Sequence, residues 1–283
     1  MRLDEGAREG ARHASPPHDA FAAPHRDGLD GEGPPSYFLL LLTVALSGVL
    51  APLNSTMLAV ALPAIRSDFH VGHAEIGWLV SSYLIAMAVA QPLGGRLGDQ
   101  LGRARVFRAG LVVFLAFSLA AAFAPTFPLL LLTRTGQALI GAAVIPNGMA
   151  MLRESLPVNR LGRSTGVTGS AISISAAVGP LIGAGLLALG SWRWLFLMNV
   201  PLVALVLLCQ ALLDYRDRLP RRPLSLDWVA ALAFAAVLVS VTLLLNSLRG
   251  GYSAYVLTAG TAALVVFSLL FLRRQFRSEA PIA

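Results

Sequence analysis

The sequence predicts an all-α, polytopic membrane protein, and three observations carry that prediction. Of 283 residues, 56% are hydrophobic and only 13% are charged; soluble domains carry about a quarter charged residues. The mean hydropathy is +0.69. The apolar residues gather into eight runs, each long enough to span a bilayer at about 20 residues per helix. The runs are continuous rather than alternating, which argues against transmembrane strands.

Residues 1–36 are rich in Gly, Ala, Pro, His and charge, with four Arg against seven Asp plus Glu. No apolar period repeats there, so a disordered tail is expected. His13, His18 and His25 are too scattered for a metal site. No apolar leader segment is visible in the tail. The runs then follow at about 37–65, 76–97, 106–124, 127–151, 164–189, 194–213, 227–248 and 254–272. Two hairpins are tight: Ala124-Pro125-Thr126 between spans 3 and 4, and Gly190-Ser191-Trp192-Arg193 between spans 5 and 6. The organisation expected is a tail (1–36), a six-helix domain (37–213), a loop (214–226), two additional helices (227–272) and a second tail (273–283).

Every one of the 22 basic residues is arginine, and they alternate between loops. Loop 2–3 holds Arg96, Arg103, Arg105 and Arg108; loop 4–5 holds Arg153, Arg160 and Arg163. Loop 6–7 holds Arg216, Arg218, Arg221 and Arg222, and the second tail Arg273, Arg274 and Arg277. The intervening loops hold only Arg66, Arg193 and Arg249. Under the positive-inside rule, both termini are expected on the cytoplasmic side of a cell membrane. His70 and His73 then fall in an exposed turn on the other side. The basic composition does not imply nucleic acid, because no aromatic residues interleave with the arginines. The absence of lysine excludes Schiff-base chemistry. Cys209 is the single cysteine, lies within an apolar run and is expected to pack between helices.

Several positions stand out chemically. The turn Gly94-Gly95-Arg96-Leu97-Gly98-Asp99-Gln100-Leu101-Gly102-Arg103-Ala104-Arg105 is expected to reverse the chain at a membrane face. Asp99, its one carboxylate, is placed to pair with Arg103 or Arg105 or to cap the next helix. Arg134 is the one charge clearly inside a span, about 10 Å along the fourth helix. Such placement costs roughly 2.5–3.5 kcal/mol on insertion scales and marks a residue facing a functional cavity. In span 5, Gly179 and Gly183 are one turn apart, so a neighbouring helix can approach closely, while Pro180 removes a backbone donor and is expected to bend the helix. The tryptophans Trp192 and Trp194 suit a membrane interface.

These stretches resemble the major facilitator superfamily. Gly95-x-Leu97-Gly98-Asp99-x-x-Gly102-Arg103-x-Arg105 resembles its loop 2–3 signature. Arg134-x-x-Gln137, followed by Gly141-Ala142-Ala143 and Pro146, resembles its span 4 motif, with Ala138 and Ile140 where glycines are usual. Ser175-x-x-x-Gly179-Pro180-x-x-Gly183-Ala184-Gly185 resembles the antiporter motif of its drug-efflux branches. Trp192-Arg193-Trp194-x-Phe196-x-x-Asn199-x-Pro201 and the additional helices from Leu226-Asp227-Trp228 are similar to the fourteen-helix drug:proton antiporter branch. Pro52-Leu53-Asn54-Ser55-Thr56 with Ala61-Leu62-Pro63 resembles that branch's first span, except that Asn54 stands where an aspartate is expected and Ala59 where an asparagine is usual.

The resemblance implies an N-terminal six-helix half, built as two three-helix repeats, plus two linking helices, with a second half beyond the chain's end. It implies secondary active efflux of small amphipathic or cationic compounds, by proton antiport. Arg134, Gln137 and Asn54 would lie on the transport path. Gly95, Asp99, Gly102, Arg103 and Arg105 would form a cytoplasmic gate, and Gly179, Pro180 and Gly183 a helix-packing hinge. Asparagine cannot titrate, so the titratable groups left for coupling are Asp99 at one face and Asp68 and Glu75 at the other. The partners implied are lipid, a small-molecule substrate, the proton and a second half; no cofactor or metal is implied. The alternative is a degenerate, non-transporting half that serves as an assembly or regulatory partner. An intramembrane enzyme is not expected, because the spans contain no paired acids, histidine cluster or activated nucleophile.

Overall fold

The computed structural model describes residues 34–213, 215, 217, 228–248, 260–269 and 273. The expected first tail up to residue 33, most of the 214–226 loop and most of the second tail lie outside the described residues. Six helical segments are long and apolar enough to cross a membrane: Tyr37–Phe69, His73–Leu101, Arg103–Ala122, Phe127–Ser155, Val158–Leu187 and Trp194–Leu212. Shorter apolar segments, Leu232–Thr242 and Gly260–Leu269, fall within the expected seventh and eighth runs. Among the described residues there is no strand.

The helices are α1 (Pro34–Phe69), α2 (His73–Leu101), α3 (Arg103–Ala122), α4 (Phe127–Gly141), α5 (Val144–Ser155), α6 (Val158–Leu187), α7 (Trp194–Leu197), α8 (Asn199–Leu212) and α9 (Trp228–Leu248). The fourth and sixth expected spans are therefore interrupted, each just ahead of a proline, although Pro52, Pro63 and Pro92 lie inside unbroken helices. Pro146 has no N–H to return to Ala142, and the helix opens into a turn at Ala142-Ala143. Pro201 stands in the same relation to Leu197, where α7 ends. Pro180 does not do this: α6 runs unbroken through it. The expected loop between spans 2 and 3 is mostly helix. α2 continues to Leu101, leaving Gly102 as the one non-helical residue before α3.

α1 packs along α6, while α2 and α3 pack along α4. Gly179 and Gly183 lie where α6 meets α1; a Cβ on Gly183 would sit 3.0 Å from the Met57 backbone. Gly94 of α2 meets Ala143, where an added Cβ would fall 2.5 Å from the Ala143 Cα. Gly95 has room for a side chain, its nearest neighbour being Pro146 at 3.7 Å. Close packing therefore requires Gly94 rather than Gly95.

Among the described residues, most of the apolar core lies in two large buried clusters. One contains Met57, Ala61, Ile65, Leu79, Leu130, Trp192 and Phe196. The other, toward the arginine-rich end, contains Leu40, Val44, Phe107, Leu111, Met151, Val203 and Val206. Buried polar residues fall between the clusters: Asn54 between Leu50 and Met57, Ser118 between Phe114 and Ala121, Arg134 and Gln137 between Leu130 and Val144, and Asn199 between Phe196 and Val203. A polar layer thus crosses the middle of the bundle.

Gly94→Ala is expected to destabilise the purified protein by about 1–3 kcal/mol, since backbone rather than a movable side chain blocks the new methyl. Gly185→Ala, on the exposed side of α6 with nothing within 4 Å, is expected to leave the thermal midpoint unchanged.

Candidate functional site

The polar layer is organised around Arg134, which is 1% exposed. Its Nη1 donates to Asn54 Oδ1 at 2.7 Å and to Gln137 Oε1 at 2.5 Å, and its Nη2 donates to the Asn54 carbonyl at 3.4 Å. The guanidinium lies 3.9 Å above the Tyr83 ring and 5.8 Å from the Phe196 ring. Gln137 Nε2 donates to Ser118 Oγ at 3.1 Å. Asn199 Nδ2 donates to the same oxygen at 2.6 Å, and Ser118 passes its own proton to the Phe196 carbonyl at 3.0 Å. One network therefore ties α1, α3, α4, α7 and α8 together. The three residues singled out on spans 1 and 4 are brought into direct contact. Tyr83, Ser118 and Asn199 were not read as members; an unbroken apolar context hides a tyrosine or serine that faces a buried cation.

A second constellation sits at the arginine-rich end. Arg103 Nη2 pairs with Asp99 at 2.6 Å, and Arg103 Nε donates to Glu154. Glu154 also accepts the Tyr215 hydroxyl at 2.9 Å. Burial, and next the hydrogen bond to the Glu154 carboxylate, push the Tyr215 phenol above its ordinary pKa, so it remains a donor. The pairing expected for Asp99 is with Arg103; Arg105 is exposed and donates instead to the Leu101 carbonyl at 3.3 Å. The cap on α3 is not Asp99. The Ala104 N–H donates to Asp217 Oδ1 at 2.8 Å, an acid from beyond the sixth span. Gly102 has φ +102°, the region that favours glycine, and the Asp217 carboxylate occupies the place a Cβ would take. Gly95 and Gly102 thus differ: the turn demands only the second. On the adjoining stretch of α5, the fully buried Asn147 donates to the Gly94 carbonyl at 2.8 Å.

At the opposite end, Asp68 accepts from Trp192 Nε1 at 2.9 Å and from Arg193 Nη1 at 3.1 Å. Trp192 is buried against Phe69 and Phe196, with ring centroids 5.6 and 6.0 Å away. Trp194 is half-exposed. Glu75 accepts the Gly72 N–H at 2.8 Å and caps α2. Cys209 is buried, as its setting predicts.

A family model described as Major Facilitator Superfamily matches residues 44–280. The chain belongs to the major facilitator superfamily. Similar proteins include YvkA of Bacillus subtilis, described as an uncharacterized MFS-type transporter, 35% identical over 244 residues that cover 86% of this chain and 54% of the relative. A lincomycin resistance protein of Streptomyces lincolnensis is 33% identical over 250 residues, covering 87% of this chain and 51% of its own. A crystal structure of a peptide transporter (POT) in complex with sulfate superposes with a TM-score of 0.63 at 16% identity, over 85% of this chain and 53% of the other, and shows the shared fold. The chain spans about half the length of the curated relatives it matches. It is a multi-pass membrane protein of this superfamily, and several relatives are drug resistance or export proteins.

Two carboxylates of the end clamp differ in weight. Asp99 is half-exposed, and Asp99→Ala is expected to lower unfolding free energy by less than about 1 kcal/mol. Glu154→Ala removes the shared acceptor of Arg103 and Tyr215 and is expected to cost about 1–3 kcal/mol, measured by reversible unfolding in mixed micelles.

Proposed function

We propose that the whole protein, of which this chain supplies a six-helix half, is a secondary active exporter of small amphipathic compounds. The observation that carries this is Arg134. A buried cation at mid-bundle, shared among helices through side-chain hydrogen bonds, is costly and has no packing role that an apolar residue would not fill better. Arg134, Gln137 and Asn54 form the wall of the substrate path in this half. Relatives named for lincomycin and tetracenomycin C resistance support export as the direction.

In this reading a second half forms the opposing wall, with substrate held between the two near the bilayer midplane. The arginine-rich end faces the cytoplasm of a cell membrane, consistent with the distribution of arginine among the loops. There Asp99, Arg103 and Arg105, around the turn at Gly102, act with Gly95 as the gate. Gly179 and Gly183 hold α6 on α1 while Pro180 leaves one carbonyl free to yield, giving a hinge in the packing within this half. The proton is the exchanged ion, and because Asn54 cannot carry it, the carboxylates left for coupling in this half, Asp99, Asp68 and Glu75, lie at the ends of the bundle.

The test is dye efflux from proteoliposomes holding the full-length protein, with and without a pH gradient. Efflux that collapses without the gradient is expected. Arg134→Ala is expected to reduce the rate by at least about tenfold, equivalent to 1.4 kcal/mol in the barrier. An unchanged rate would remove Arg134 from the mechanism, and no efflux at all would favour a non-transporting assembly role.

A further inference from the structure

We infer that the Arg134–Asn54 pair is a binding site for the carboxylate head of an organic anion, so that the compounds handled include lipophilic aromatic acids. This rests on the transport reading above and names its substrate class. All three hydrogen bonds that hold the guanidinium end on neutral oxygens, those of the Asn54 and Gln137 side chains and the Asn54 carbonyl. Among the described residues, the ion pairs lie at the ends of the bundle: Arg103 with Asp99 and Glu154, and Arg193 with Asp68. The central positive charge is therefore solvated by dipoles and by the Tyr83 ring, without a counter-charge.

Two donors of the pair are also unfilled. Arg134 Nε and Asn54 Nδ2 are both buried and have no acceptor. A buried donor without a partner loses its full hydration. A carboxylate is the group that answers both needs: it brings a negative charge, and its lone pairs can accept from Arg134 Nε and Asn54 Nδ2. A cation would meet like charge. Beside the pair, Tyr83, Ala86 and Ala138 form a small buried apolar cluster, which would part to take the ring of an aromatic acid. Asn54 is decisive here. An aspartate at that position would neutralise Arg134 internally and occupy the site with the protein's own carboxylate.

The experiment is calorimetric titration of the full-length protein in detergent micelles with salicylate and, separately, with its neutral amide, salicylamide. Salicylate is expected to bind at least tenfold more tightly than the amide, with an affinity indifferent to chloride between low and physiological concentration. Asn54→Asp is expected to weaken salicylate at least tenfold while folding as well as the parent, judged by its thermal midpoint. Arg134→Gln is expected to abolish the preference for acid over amide. Equal binding of acid and amide, or an Asn54→Asp variant that binds salicylate as the parent does, would overturn the inference. Competition by chloride would overturn the carboxylate assignment in favour of a halide. Dye efflux by the same preparation separates the readings: efflux without any preference for acids defeats this inference alone, and absent efflux defeats the transport reading beneath it.

Discussion

A single buried charge sets the terms for the centre of this molecule. Arg134 cannot reach water from its place between two apolar clusters, so its Nη donors are answered by Asn54 of α1 and by Gln137 one turn along its own helix. Asn54 and Gln137 supply oxygens, and Tyr83 supplies the negative face of its ring. Gln137 in turn needs Ser118, and Ser118 fixes Asn199 and the Phe196 carbonyl. The network follows by elimination from the low polarity around it, since each polar group introduced to solve one desolvation problem creates a smaller one at the next helix.

The two ends are secured by different chemistry. One end uses carboxylates that reach between distant stretches: Glu154 joins Arg103 to Tyr215, and Asp217 seats on the first turn of α3. The other uses one acid, Asp68, held by an indole and a guanidinium against an aromatic cluster. Mid-bundle polarity is thus flanked by apolar packing and closed at each end by charge.

Most of the architecture was legible in the amino-acid order because membrane physics writes in long runs. Continuous apolar stretches, alternating arginine-rich loops and a lone intramembrane arginine all survive averaging over a window. What escaped lies at single-residue scale. Helical geometry carries α2 through Gly94, Gly95 and Gly98 to Leu101, where a glycine-rich string suggested a loop; Gly94 lets the helix approach Ala143 closely and Gly98 lets it approach Asn147 of α5. Pro146 and Pro201 follow helix breaks, while Pro180, like Pro52, Pro63 and Pro92, lies inside an unbroken helix, so proline alone does not mark a break. Asp217 as the cap of α3 was invisible because its partner is 113 residues away.

The Asp68–Trp192 contact constrains how this half is made. The partners are separated by 124 residues, so the first helix leaves the ribosome and enters the bilayer long before the indole that steadies its far end exists. Until the fifth span is threaded, α1 lacks α6, the helix it packs along, and the aromatic cluster around Asp68 closes only with Trp192 and Phe196. Assembly of this bundle is thereby tied to completion of its final hairpin.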